Sequence, residues 1–447
     1  MMSRSILIKN ARVIDPSQNV DETTDILIEE RLIKSWGANL KASQGVTIQA
    51  DGLVACPGFI DLHCHLREPG FEEKETIASG AAAAIRGGYT TICCMPNTNP
   101  PLDNAATVDF VLKTAASQAP LITVLPIGCI SKGRAGKELT DMSELSDAGC
   151  AGFSDDGSPV SDSQLMLLAM RCASGLDIPI IDHCEDLNLS RGGHLHDGWV
   201  AARLGIKGIP AAAEESMVAR DVALAEMTGA RLHLTHISTR GSVEIIRAAR
   251  ARGMKISADA TPHHLTLTEE RIIASPGEPD VPLLYDTNAK VNPPLRTSSD
   301  VEALIKAVND GTISVVATDH APHASQDKLC EFEEAAFGIS GFETAFSALM
   351  MLVNSGKIKL NTLIALLTCG PAAVLPQEYG PRGTLKTGAR ADLTLLDISR
   401  EWTLDEADML SKGKNTPFKG QQFKGMVVGT IHAGEMAYID KSVRMSK

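Results

Sequence analysis

The chain has 447 residues, 44% hydrophobic and 22% charged, with a formal net charge of -13. That composition suits a globular protein with a large core, and its acidity argues against a nucleic-acid partner and against attraction to an anionic membrane. No apolar run approaches the length of a membrane span, and the ten cysteines show no paired spacing, so they read as reduced core thiols of a cytoplasmic protein.

Residues 5–56 carry short runs of period two, "ILIKNARVID", "DILIEERLIKSWG" and "VTIQADGLVAC", with turn residues between them. The start of the chain therefore reads as a strand and not as a secretory leader. From about residue 53 to 318 the texture changes. Eight short apolar runs recur: "LVACPGFIDLH", "YTTICCMP", "LITVLPIG", "AGCAGFSDD", "DIPIIDH", "ARLHLTH", "MKISADATP" and "TISVVATDH". Helical stretches such as "KETIASGAAAAIRGG", "SDSQLMLLAMRCASG", "EESMVARDVALAEMTG" and "SVEIIRAARARG" lie between them, several closed by glycine. The C-terminal stretches "GTLKTGARADLTLLDI" and "GMVVGTIHAGEMAYID" return to period two. The expected fold is α/β: a (β/α)8 TIM-type barrel over residues 57–375, with a small β-sandwich built from residues 1–56 plus 376–447. A doubly wound open sheet is the alternative. Neither GxGxxG after an early strand nor GxxxxGK[ST] is present to support it.

In "GFIDLHCHLREPG", His63 and His65 stand two residues apart at the end of an apolar run, so both would face the same side of a strand. Two histidines alone do not make a metal site. The other runs repeat the feature: they end in Asp155-Asp156, His183, His236, and Asp319 followed by His320 and His323. Ionisable groups at the ends of buried strands are costly unless paired or coordinated. In a (β/α)8 barrel those ends form the mouth of the active site. Imidazole and carboxylate suit zinc or a similar divalent ion, and a shared carboxylate could bridge two ions. His194 and His196 in "GGHLHDG" have no apolar run behind them and read as loop or surface residues. His233 alternates away from the interior and reads as structural. His263 and His264 stay unassigned.

The segments "GFIDLHCHLREPG", "MPNT", "GFSDDG", "DHCED", "LTHIS", "TPHHL", "KVNPPLR" and "ATDHAPH" resemble the type I dihydroorotases of the amidohydrolase superfamily, in family order and over nearly the whole chain. The resemblance implies zinc-dependent, reversible hydrolysis of (S)-dihydroorotate to N-carbamoyl-L-aspartate in pyrimidine synthesis. It implies that His63, His65 and Asp319 hold one ion and His183 and His236 a second, giving one or two zinc ions per subunit, with two favoured. Where many relatives place a carboxylated lysine, this sequence has an aspartate; the pattern favours Asp156 over Asp155 as the bridge. Asp319 would also be the catalytic residue, moving a proton from the attacking water to the leaving nitrogen.

The implied substrate is anionic. Arg67 can offer its carboxylate a guanidinium fork, the alternative being a surface pair with Glu68. Besides Arg67, the resemblance points to His65, Asn97, Asn292, His323, Phe337 and Gly338 as substrate contacts. Residues 323–337 could form a mobile cover. A homo-oligomer such as a dimer, and association with aspartate transcarbamoylase, are further expectations. The rival readings are an allantoinase, a hydantoinase or dihydropyrimidinase, and a non-catalytic partner of aspartate transcarbamoylase.

Overall fold

A computed structural model describes residues 5–42, 44–273 and 285–446. Residues 1–4, the first of the expected N-terminal unit, lie outside the described residues.

The period-two runs at both ends of the chain join one nine-stranded sheet. Strand Ser5–Asp15 is its branch point. Its register shifts between Ile8 and Ala11, where Asn10 takes a φ of 57°; the first half pairs with Gly45–Gln49 and the second with Val54–Pro57. Strand Val54–Pro57 in turn pairs with the C-terminal strand Leu393–Thr403, which carries Gln422–His432 on its other edge. The two arms of the branch enclose one apolar cluster that includes Ile6, Ile8, Val13, Ile26, Ile48, Leu393, Leu395 and Val428. The layers expected from the alternating runs are thus arms of a single hydrogen-bonded sheet.

Between these ends the chain alternates strand and helix. Phe59–Cys64, Tyr89–Cys94 and Thr123–Pro126 pair in parallel, as do Ile180–Asp182, Leu232–Leu234, Ile256–Ala260 and Val315–Val316. Phe153 forms parallel bridges to Gly128 on one side and to Ile180 on the other, and Cys64 bridges in parallel to His320. Pairing therefore runs from Phe59–Cys64 through all eight predicted runs and back to Cys64. Two predicted runs differ in detail. "LVACPGFIDLH" is split into Val54–Pro57, which serves the terminal sheet, and Phe59–Cys64. Gly58 allows the crossing: a Cβ there would lie 2.3 Å from Thr90 Oγ1. "AGCAGFSDD" contributes only the bridge at Phe153 and no regular strand.

The helices fall where the sequence places them: Ile77–Arg86, Ser163–Leu176, Ala212–Thr228 and Arg240–Ala251. Thr76 and Ser79 form a reciprocal capping box that satisfies first-turn amides, and Asp162 caps the second of these helices. Helix Arg240–Ala251 buries Val243, Ile246 and Ala249 at spacing three, which turns its arginines outward. Among the described residues, no helix is long and apolar enough to cross a membrane.

Candidate active site

The parallel strands deliver their C-terminal tips to one place. His63 lies in Phe59–Cys64 and His65 just beyond it, with ring centroids 5.2 Å apart. Asp156 follows the Phe153 bridge, His183 follows Ile180–Asp182, His236 lies two residues past Leu234, and Asp319 three past Val316. All six side chains are buried. Oδ1 of Asp156 is 3.4 Å from His63 Nε2, 3.5 Å from His183 Nδ1 and 3.7 Å from His236 Nε2, while Oδ2 is 3.6 Å from His65 Nε2. Oδ1 of Asp319 is 3.1 Å from His65 Nε2 and 3.6 Å from His63 Nε2. Two metal-competent triads result, His63–His65–Asp319 and His63–Asp156–His236, sharing His63. Asp155 faces away, accepting hydrogen bonds from the Ile130 and Ser131 amides.

The imidazoles are oriented from behind. Thr235 Oγ1 donates to Asp259 Oδ2 at 2.9 Å, so it accepts from His63 Nδ1 at 2.8 Å and leaves His63 Nε2 without a proton. Asn97 accepts from His65 Nδ1 at 2.9 Å and donates to Asp156 at 3.3 Å, which leaves His65 Nε2 bare. Glu185 accepts from His183 Nε2 at 2.8 Å, which leaves Nδ1 bare 3.0 Å from His236 Nε2. Lone pairs of imidazole and carboxylate thus point at one another across a buried gap. His63 Nε2 has no hydrogen-bond partner there. Such a donor set fits a cation at its centre.

The electrostatics agree. Burial alone would drive the proton off His63, yet Asp156 and Asp319 pull its pKa up to about 9, so the two carboxylates favour positive charge at Nε2: a proton or, on the neutral ring, a cation in its place. Burial opposes ionisation of Asp156, but His63, His183 and His236 outweigh it and hold the carboxyl well below its usual range. Asp319 is likewise lowered against the effect of burial, by His65, His63 and His236. The backbone is strained at the same tips: His236 has φ 41° and Asp319 φ 45°, left-handed values that side-chain-bearing residues avoid.

Above the centre is a cavity of about 210 Å³. All the sequence-predicted contacts line it: His65, Arg67, Asn97, Asn292, His323, Phe337 and Gly338; so do Asp156, His183, His236 and Asp319, while His63 sits beneath its floor. Arg67 is not paired with Glu68, whose carboxylate accepts from the Ile77 amide. Instead Arg67 Nε donates to the Pro322 carbonyl at 3.2 Å, and Nη2 lies 3.3 Å from His323 Nε2. Among the described residues it makes no ion pair. Burial lowers its pKa only to about 10, so it stays charged at neutral pH. A larger hollow of about 500 Å³, lined by Arg231, Arg250 and Lys255, lies at the opposite ends of the strands and gathers no such donor set.

The sequence matches the family model described as Dihydro-orotase-like over residues 20–242. A dihydroorotase from Syntrophotalea carbinolica is 48% identical over 433 residues, covering 97% of this chain and 99% of its own. One from Geobacter sp. strain M21 is 46% identical over 435 residues, with the same coverage. The chain belongs to the dihydroorotase family. As a dihydroorotase it is a hydrolase of cyclic amides with a small-molecule substrate. Its fold is shared with the L-hydantoinase (dihydropyrimidinase) of Arthrobacter aurescens, at TM-score 0.83 and 23% identity, over 99% of this chain and 98% of that one.

In this dihydroorotase, three residues at the centre escaped sequence reasoning. Glu185 lies inside "DHCED" but not at a strand tip; it holds both His183 and the Asn292 amide, the latter at 2.8 Å. Thr235, inside "LTHIS" but not singled out there, and Asp259 act through His63. The histidines outside the centre also sort themselves. His320 stacks on Phe342 at 4.1 Å and accepts from the Gly341 amide, facing away from the cavity. His233 bonds Asp259 and Ser257. His264 reaches the Pro293 carbonyl at 2.8 Å, whereas Nε2 of buried His263 finds no partner among the described residues. His196, read as a surface residue, is instead half-buried in the short strand Leu195–His196, with Nδ1 3.1 Å from Arg296 Nη1. His194 is half-buried too, 3.3 Å from Lys290. A third metal-competent grouping, Asp182, Cys184 and Asp221, is answered by Arg220 at 2.7 Å from Asp221.

Proposed function

We propose that the chain is a type I dihydroorotase. It opens and closes the ring of (S)-dihydroorotate at a zinc centre held by His63, His65, Asp156, His183, His236 and Asp319. The observation that carries this reading is the half-buried Arg67 guanidinium, which makes no ion pair among the described residues and lines a cavity floored by that donor set. The eight parallel segments are read as a (β/α)8 barrel over residues 57–375, and the terminal sheet as a composite β-sandwich unit from 1–56 and 376–447. Two zinc ions are retained from the resemblance; Asp156, within 3.7 Å of all four imidazoles, and not Asp155, would be the carboxylate ligand among them. When bound, the ions would polarise the ring amide carbonyl and lower the pKa of water.

The chain's own residues would do the rest. Arg67 would hold the substrate carboxylate through its Nη groups, with Asn97 at the same wall. Asn292, fixed by Glu185, would align the ring. Asp319 would accept a proton from the attacking water and return it to the amide nitrogen as the C–N bond breaks. The carbonyl carbon would leave as a carboxylate, the second proton of the water passing to solvent, and the nitrogen as the end of a ureido group. Phe337 and Gly338 would offer backbone groups. A dimer, a cytoplasmic location and association with aspartate transcarbamoylase are retained as proposals.

Two experiments test this. Stripping metal with a chelator should abolish ring opening of dihydroorotate, and zinc should restore it, while allantoin and dihydrouracil turn over at least about a hundredfold more slowly. Turnover of only the latter two would overturn the substrate assignment and favour the hydantoinase reading. Replacing Thr235 by Val removes the acceptor that orients His63 and keeps the side-chain volume. Zinc affinity, measured by chelator competition, should fall about 10- to 100-fold, and Thr235→Ser should restore it. Unchanged affinity in the valine variant would remove Thr235 from the site.

A further inference from the structure

The wall of the cavity that carries His323, Phe337 and Gly338 is fastened by two lysines the mechanism does not use. Lys328 is 4% exposed and Lys290 1%. Nζ of Lys328 donates to the carbonyls of Ala336 at 2.6 Å, Thr287 at 3.0 Å and Lys290 at 3.1 Å, spending all three protons. Nζ of Lys290 donates to the carbonyls of Phe332 at 2.6 Å and Glu333 at 3.0 Å, and lies 4.5 Å from the centroid of the Phe337 ring. The Gly338 amide donates back to the Lys290 carbonyl at 3.0 Å. Among the described residues neither ammonium has a carboxylate within ion-pair distance.

Burying a cation without a counter-ion is unfavourable, and here it happens twice, once on each of two facing segments. The strain shows in basicity: burial pushes Lys328 down to about 7 and Lys290 to about 8. Lys290 also meets His194 Nδ1 at 3.3 Å and the Phe332 and Phe337 rings, but the carbonyls that the two ammonium groups hold all belong to residues 332–336 and 287–290. We propose that Lys290 and Lys328 are positioning residues for substrate binding, clamping segment 323–338 onto segment 287–292 so that Phe337 and Gly338 form the cavity wall. The inference rests on the reading that substrate occupies that cavity. It also replaces the expected mobile cover with a wall held at carbonyl groups.

The test is Lys328→Met and, separately, Lys290→Met in the full chain loaded with zinc. Each should raise KM for dihydroorotate about tenfold, equivalent to about 1.4 kcal/mol, with kcat within threefold and zinc content unchanged. Amide exchange should quicken across residues 324–338 and stay unchanged in Phe59–Cys64 and Ile256–Ala260. The double variant should exceed the larger single effect by little, because both lysines serve one clamp. Unmoved KM in a folded variant would overturn the proposal. So would exchange that quickens along the whole chain, which would assign the lysines to global stability. Failure of the cavity reading itself would appear elsewhere, as an Arg67→Met variant with normal KM.

Discussion

Asp319→Asn should lower kcat for ring opening by about 10²- to 10⁴-fold, the range expected when a positioned proton carrier is lost. The amide keeps the shape of the carboxylate but cannot take a proton. KM should change little, because the cavity wall and Arg67 are untouched. Zinc content must be measured beside the kinetics. Asp319 is 3.1 Å from His65 Nε2, so its loss could act by emptying the centre instead of by stopping proton transfer. The donor set that remains, four imidazoles and Asp156, should still hold metal. A variant that retains zinc and works within threefold of the parent would remove Asp319 from the chemistry.

Arg67→Met should raise KM for dihydroorotate by about 10- to 100-fold, matching the roughly 1.5–3 kcal/mol carried by a hydrogen bond to a charged group. Its effect on kcat should be smaller. Lysine should rescue only in part, since a single ammonium cannot reproduce the planar fork. The control is a neutral cyclic amide such as dihydrouracil, whose slow turnover should not depend on Arg67. Equal losses on both substrates would mean that the side chain supports the wall of the cavity and does not read an anion. Its Nε bond to the Pro322 carbonyl makes that outcome a real alternative, and the two-substrate comparison separates them.

Much of this site is legible in the sequence because buried parallel strands write their ends plainly. An apolar run followed by His or Asp, repeated along the chain, brought out His63, His65, His183, His236 and Asp319, and all of them converge. The choice of Asp156 over Asp155 came from the family pattern and not from strand periodicity; in the structure their partners, Ser131 for one and four imidazoles for the other, separate them. Glu185, Thr235 and Asp259 were missed because they touch ligands from behind, where residue type is unremarkable and spacing carries no period. Lys328 left no trace, and Lys290 only opens the motif "KVNPPLR", where nothing marks it as buried. A lysine in a polar stretch reads as solvated, and what buries these two is the return of a distant segment whose carbonyls need donors. In the fold, the split of "LVACPGFIDLH" was hidden by continuous hydrophobicity: both halves are buried, one in each unit. "AGCAGFSDD" looked like its neighbours, yet only Phe153 pairs.

The branched terminal sheet bears on how the chain is made. Strand Val54–Pro57 emerges early from the ribosome, but its neighbour Leu393–Thr403 is translated more than three hundred residues later. For most of synthesis the first strands have an unpaired edge and an uncovered apolar face, while the segment between them can already gather its own parallel pairs. Closure of the sheet joins the two ends of the described chain last, so nascent chains halted before residue 393 would be the form most exposed to strand-edge aggregation and to chaperones.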